Sequence, residues 1–408
     1  MDLIIPYNLE REERRAVVTG DLRVVVVQPN PLPSYSPEVY YPEVIQSERD
    51  RIFHKFQGKS SLALLVDDHT RPTPAQFAIP ELLDIAEVCR IRDKRIVVAF
   101  GSHNFPPEDY VRQKIGDSAY STVPVILHDA YAKEEHCMIG HTSLGTPLFI
   151  NRWVTSSDVK VSLGSIFPSS LAGFTGGAKM ILPGVAYHES IDHNHAMFQR
   201  SSLGRIDGNP MREDMEEAAS LAGLDLIIDA VLTPRAEVVS IHVGDPITAH
   251  REGAESSRKM YEKRVPRAEI VCVGCGATDD IDFIHLAKAL EVADLVCKEN
   301  GVIVLVGACI LGIQWEELLD ALHESVSGKE SSQGEVFANL FVRRYRSIFL
   351  EKTKRVFWVT EPKHEEMADH FGFLFFADLQ SAIDKAIGQN RSPITVLPRG
   401  SLLLPVPC

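Results

Sequence analysis

The 408-residue chain reads as an α/β protein of two α/β domains with largely parallel sheets, and three observations predict this. Short β-branched runs alternate with amphipathic helical stretches, the pattern that builds parallel sheets covered by helices. A hydrophobic content of 45% can fill a large core, and the length suits two or three domains of roughly 100–200 residues. The strand-helix-strand series also restarts after a polar, charged stretch at 245–263.

Taken in order, "SLALLVDD" (61–68), "RIVVAFG" (95–101), "VPVILHDA" (123–130) and "LDLIIDAVL" (224–232) are the clearest strands of the first half. Each is a short apolar run, mostly closed by polar residues. The segment 245–263, "DPITAHREGAESSRKMYEK", is charged enough for a surface helix and sets a boundary near 265, with one domain over 1–265 and another over 266–408. The second domain opens with the strand "AEIVCVG" (268–274), passes through a helix at 282–300 and the strand "VIVLVGA" (302–308), and ends with strands at "RVFWVTE" and "ITVLP". The closing "SLLLPVPC" could return to the first domain.

A net charge of −14 repels a phosphate backbone, and no Lys/Arg run with interleaved aromatics offers a local exception. Nucleic acid is therefore not an expected partner. Seven scattered cysteines fit a reducing compartment better than a disulfide framework. Cys272 and Cys275 form a C-x-x-C inside an apolar strand with no second metal-spaced pair, so core packing is expected of them. The N-terminus is unlike a secretory signal, and the longest apolar segment, 301–313, is shorter than the ~20 residues that span a bilayer. A cytoplasmic protein without a membrane partner is expected.

Ligands on open α/β sheets bind beyond the carboxyl ends of the strands. Asp68-His69-Thr70-Arg71 follows the first run, Ser102-His103-Asn104 the second, and His128-Asp129 closes the third. Further on, "SSLAGFTGGAKMILPGV" (169–185) sets Lys179 behind Gly176 and Gly177. A P-loop is excluded, because Ala178 separates the glycine from the lysine and Met180 stands where Ser or Thr would hold magnesium. The glycines permit positive φ and could turn N–H groups toward an anion; alternatively they form a tight turn with a solvated lysine. The histidines of "YHESIDHNHAMF" follow.

The combination "DDHTRPTP", "GSH", "GTPLFINRWV" and "GFTGGAKMILPGVAYHESIDHNH" closely resembles the nickel-pincer lactate racemase family, with the likeness continuing into "DFIHLAKAL" and "GVIVLV". The resemblance implies a two-domain α/β enzyme with nickel in a pyridinium-thioamide-thiocarboxylate mononucleotide, the nickel-pincer nucleotide, held between the domains. It implies that Lys179 carries that nucleotide through a thioamide bond and that His195, the second histidine of "HNH", is the protein ligand to nickel. It further implies that Asp68 and Thr70 face the nucleotide, with Gly176 and Gly177 leaving room for it. Arg71 and Lys288 would bind substrate; a planar guanidinium fork suits a carboxylate. His103 matches one catalytic histidine. Proteins that make and deliver the cofactor are implied partners.

In the first domain two positions depart from the family pattern: Ser169 stands where the second catalytic histidine would be, and Asn104 follows His103 in place of arginine. The expected reaction is accordingly racemisation or epimerisation of a 2-hydroxycarboxylate by reversible hydride transfer, with lactate only one of several candidates. The alternative is a carrier of the nucleotide that does not racemise. His285, three residues before Lys288 and so on the same helix face, stands where glutamine is usual; it is the candidate for the missing base.

Overall fold

The computed structural model describes residues 1–198, 203–276, 279–313, 355–389 and 392–408. The chain divides into two compact units, Leu32–Lys259 and a terminal unit made of Met1–Pro31 with Met260–Cys408.

The Leu32–Lys259 unit is built on a six-stranded sheet in the spatial order Val238–Gly244, Leu226–Leu232, Val159–Ser165, Ser61–Asp67, Asp93–Ala99, Val125–Leu127. Five strands are parallel and only the edge strand Val238–Gly244 runs antiparallel. Ser61–Asp67, Val159–Ser165 and Leu226–Leu232 are buried almost throughout, as expected of strands covered on both faces. The chain leaves Ser61–Asp67 toward Asp93–Ala99 on one side and later returns as Val159–Ser165 on the other. The order therefore reverses at the carboxyl end of Ser61–Asp67, the place where open α/β sheets make their ligand crevice. Val159–Ser165 was not among the expected strands, although it lies at the centre of the sheet.

In the terminal unit six strands are all parallel, in the order Leu374–Phe376, Arg355–Val359, Cys297–Val306, Ala268–Gly274, Ile394–Leu397, Val24–Val26. Residues 1–31 group with Met260–Cys408 and not with the residues that follow them, because Val24–Val26 pairs with Ile394–Leu397. The closing residues also stay in this unit, where Leu404–Pro407 pairs with Glu262–Val265. Cys272 and Cys275 are free and buried, and burial pushes the Cys272 thiol up to about 12. No helix among the described residues is long and apolar enough to cross a membrane.

Candidate active site

The strand Ser61–Asp67 ends in two buried carboxylates that close the following loop from both sides. Asp67 pairs through Oδ1 with Lys114 Nζ at 2.6 Å and accepts from Thr73 Oγ1. Asp68 Oδ1 accepts from Thr70 N at 3.0 Å and Thr70 Oγ1 at 2.6 Å, and Arg71 Nη1 donates to Thr70 O at 3.0 Å. Lys114, from the helix Glu108–Ile115, also donates to Asp68 O at 2.8 Å and Arg71 O at 2.7 Å. One ammonium thus fixes the backbone on either side of Thr70. The other Asp68 oxygen, Oδ2, lies 2.5 Å from His103 Nδ1. Burial alone would raise the Asp68 carboxyl, but the charge and hydrogen bond of His103, with His69 and Arg71 nearby, hold it well below the usual carboxylate range.

The His103 loop is tied in turn to the lysine loop, since Gly101 N donates to Gly184 O and Gly184 N to Lys179 O, both at 2.9 Å. Lys179 sits in the turn Gly177–Met180 and is the one residue between 172 and 182 that is not buried. Gly176 and Gly177 have φ of 78° and 60°, as a glycine pair permits. Their lack of side chains serves the interior: a Cβ on Gly176 would stand 2.5 Å from Asp229 Oδ2, and one on Gly177 would stand 2.8 Å from Arg212 Nη2. The Gly177 N–H donates to Asp229 Oδ2 at 2.6 Å, so an internal carboxylate already takes this amide.

Past the lysine, the helix His188–His195 buries Asn194 and His195 and leaves His193 exposed. Asn194 Nδ2 donates to Asp214 Oδ2 at 2.7 Å and Met211 O at 3.0 Å, docking this helix on Pro210–Ala222. Asp214 also accepts from Thr142 Oγ1 at 2.5 Å and Thr146 Oγ1 at 2.8 Å, and Thr146 Oγ1 lies 2.9 Å from His193 Nδ1. His193 is thereby committed to a structural contact. Among the described residues no group of three or more His, Cys, Asp or Glu side chains is arranged to hold a metal ion. The His195 imidazole is of a type that suits nickel, and sulfur donors of a non-protein group would complete such a site.

Residues 23–205, which include Asp68, Arg71, His103, Lys179 and His195, match the lactate racemase N-terminal domain. The chain is 29% identical over 359 residues to the lactate racemase of Thermoanaerobacterium thermosaccharolyticum, covering 84% of each. It is 27% identical over 266 residues to that of Lactiplantibacillus plantarum, covering 63% of this chain and 62% of the other. The solved lactate racemase apoprotein from T. thermosaccharolyticum matches 100% of both chains with a TM-score of 0.86 and 25% identity. The chain is thus similar to lactate racemases over most of its length. It is an isomerase of the racemase type. A Thermotoga maritima protein at 16% identity shares the fold, with a TM-score of 0.68 over 92% of this chain and 100% of the other.

Ser169 Oγ accepts from Leu171 N at 3.3 Å and Ala172 N at 3.4 Å. It closes the short hairpin of Pro168–Ser169 with Gly173–Phe174, a role for a small hydroxyl side chain. In the terminal unit the helix Phe283–Val296 carries His285 and Lys288. Asp282 caps that helix by accepting from His285 N at 2.9 Å, and its carboxylate lies 2.8 and 2.9 Å from His285 Nδ1. Lys288 Nζ donates to the buried Asp279 at 2.7 Å. Sequence reasoning did not find Lys114, Asp214, Arg212, Asp229 or His250, which act on backbone or side chains distant in the chain. The only signal was their polarity inside otherwise apolar or amphipathic elements.

Proposed function

We propose that the protein racemises or epimerises a 2-hydroxycarboxylate with a nickel-pincer nucleotide attached to Lys179. The observation that carries this reading is the joining, at the reversal point of one parallel sheet, of the Asp68–His103 pair to the loop that presents Lys179. When bound, the nucleotide would supply a reversible hydride acceptor for the hydroxylated carbon, chemistry that no side chain performs.

The residues of the chain supply the rest. Lys179 holds the nucleotide and His195 gives an imidazole nitrogen to its nickel. Thr70 and Asp68 hold the loop that faces it, and Arg71 takes the substrate carboxylate through its planar fork. His103 accepts the hydroxyl proton at Nε2 as hydride leaves carbon, while Asp68 holds Nδ1 and favours the charge that forms on the ring. Lys288 is a second substrate contact. Ser169 offers no base at neutral pH, and His285 is assigned that role. Lactate, named in the relatives, is the first 2-hydroxycarboxylate to try.

Protein produced together with a pincer-synthesis system, incubated with single enantiomers of small 2-hydroxy acids and sugar acids and followed by optical rotation, tests the reading. Loss of rotation with at least one compound, abolished in His103→Ala, is expected. Fully loaded protein that racemises nothing would turn the reading toward a carrier of the nucleotide.

A further inference from the structure

The segment Phe174–Gly177, just before Lys179, hangs on three buried side chains from three different elements. Arg212, on the helix Pro210–Ala222, donates through Nη1 to Phe174 O at 3.4 Å and Gly176 O at 3.3 Å. His250, on the helix Thr248–Tyr261, has Nε2 2.8 Å from Thr175 O. Asp229, on the strand Leu226–Leu232, accepts from Gly177 N at 2.6 Å. Arg212, Asp229 and His250 are each 0% exposed. Four successive residues therefore each give a backbone polar group to a side chain rising from beneath. The charge of Arg212 is matched by Glu216 at 3.0 Å, which Arg251 grips with two bonds of 2.9 and 3.1 Å.

Burying a guanidinium and a carboxyl side chain is costly, and a turn needs neither merely to close. The arrangement has a directional result: every residue from 172 to 182 is buried except Lys179. We propose that Arg212, His250 and Asp229 are positioning residues that hold the Lys179 amine in place for its ligand. The inference rests on the reading of Lys179 as the attachment point. The three side chains take no part in bond formation; they act through the loop backbone.

Two variants remove separate parts of the clamp. Arg212→Met leaves Glu216 paired with Arg251, and His250→Phe keeps ring volume. Each is co-produced with the pincer-synthesis system, and the fraction of Lys179 carrying the adduct is read by peptide mass. Occupancy per folded chain is expected to fall about tenfold, the order of one lost, well-placed hydrogen bond, with recovery in Arg212→Lys and His250→Gln. In the same chains made without that system, labelling of Lys179 by trinitrobenzenesulfonate should be undiminished, since access is kept and only position is lost. Normal occupancy in either folded variant, or loss of occupancy matched by equal loss of labelling, would overturn the proposal. The two substitutions lie on different helices, so one folded variant suffices. Wild-type protein with no adduct on Lys179 would instead reject the attachment reading itself, and the difference between the two failures is visible in the wild-type lane.

Discussion

Asp68 Oδ2 lies 2.5 Å from His103 Nδ1 although the residues stand 35 positions apart and follow different strands. The charge and hydrogen bond of His103, with the charges of His69 and Arg71, overcome burial and keep Asp68 ionised far into acid, so the imidazole meets a carboxylate. This fixes the ring and the nitrogen that carries the proton, as the acidic member of a hydrolase triad does. Asp68→Asn keeps the shape and removes the charge. In loaded protein kcat is expected to drop by about 10²–10⁴-fold, the usual worth of a positioned acid or base, with a much smaller change in KM. Initial rates over a range of substrate concentration decide it. Equal changes in both constants would mean that Asp68 acts mainly on substrate binding.

Lys114 and Asp67 share a buried pair with side-chain exposures of 8% and 9%. Lys114→Met strands the Asp67 carboxylate and frees two loop carbonyls, and it should destabilise the chain by roughly 3–5 kcal/mol in urea unfolding. Adding Asp67→Asn should recover part of that loss. A double variant no more stable than the single one would show that the carbonyl bonds, and not the ion pair, carry the effect.

Much of this was legible in the sequence, and the gaps have physical reasons. Runs such as "SLALLVDD" announce strands because parallel strands bury both faces and must be apolar on both. "VKVSLGS" hides the central strand Val159–Ser165 because Lys160, Ser162 and Ser165 are polar yet buried; Lys160 keeps its ammonium satisfied by donating to Ser157 O at 2.8 Å. The place of residues 1–31 could not be read locally, since Val24–Val26 finds its partner at the far end of the chain. The residues proposed to meet a ligand lie in short motifs that can be read along the chain. Those that hold the motifs, such as Asp214 under Asn194 and Asp229 under Gly177, touch atoms far away in sequence and leave no spacing to read.

His195 and His193 separate cleanly. His195 is buried, while exposed His193 is bound to Thr146 through Nδ1. His195→Ala is expected to lose nickel from loaded protein without unfolding, and His193→Ala to retain it, with metal content measured by mass spectrometry on desalted samples. Nickel lost from the second variant and kept by the first would exchange the two roles.

Asp229 gives a pH signature. Burial, reinforced by the charge of Asp67, outweighs the Gly177 N–H and Arg212 and raises this carboxyl from 3.8 to about 7. With the folded value above the unfolded one, the folded chain holds a proton that the unfolded chain has released. Stability from this group is complete below about 4 and is lost as pH rises toward about 7. Asp229→Asn removes that slope. Its stability relative to wild type should improve as urea titrations move from pH 4 to 8. A constant difference across the range would show that Asp229 does not change charge there.

Racemisation is chemically symmetrical and needs a base for each face of the substrate, the role proposed for His285 on one of them. His285 is 3% exposed, with Nδ1 held by Asp282 at 2.8 and 2.9 Å, which fixes ring and tautomer as a proton-transfer role requires. Glutamine in its place can still hydrogen-bond but cannot take a proton at neutral pH. His285→Gln should therefore slow turnover by about 10²–10⁴-fold. At equilibrium the two directions of racemisation must balance, so steady-state rates cannot tell which face of the substrate has lost its base. Single-turnover reaction from each pure enantiomer can. If His103 serves one face and His285 the other, His103→Ala and His285→Gln will first impair opposite enantiomers. A purely structural His285 would instead lower stability and slow both enantiomers alike, and normal transfer from both would remove it as a base and return attention to the loop around Ser169.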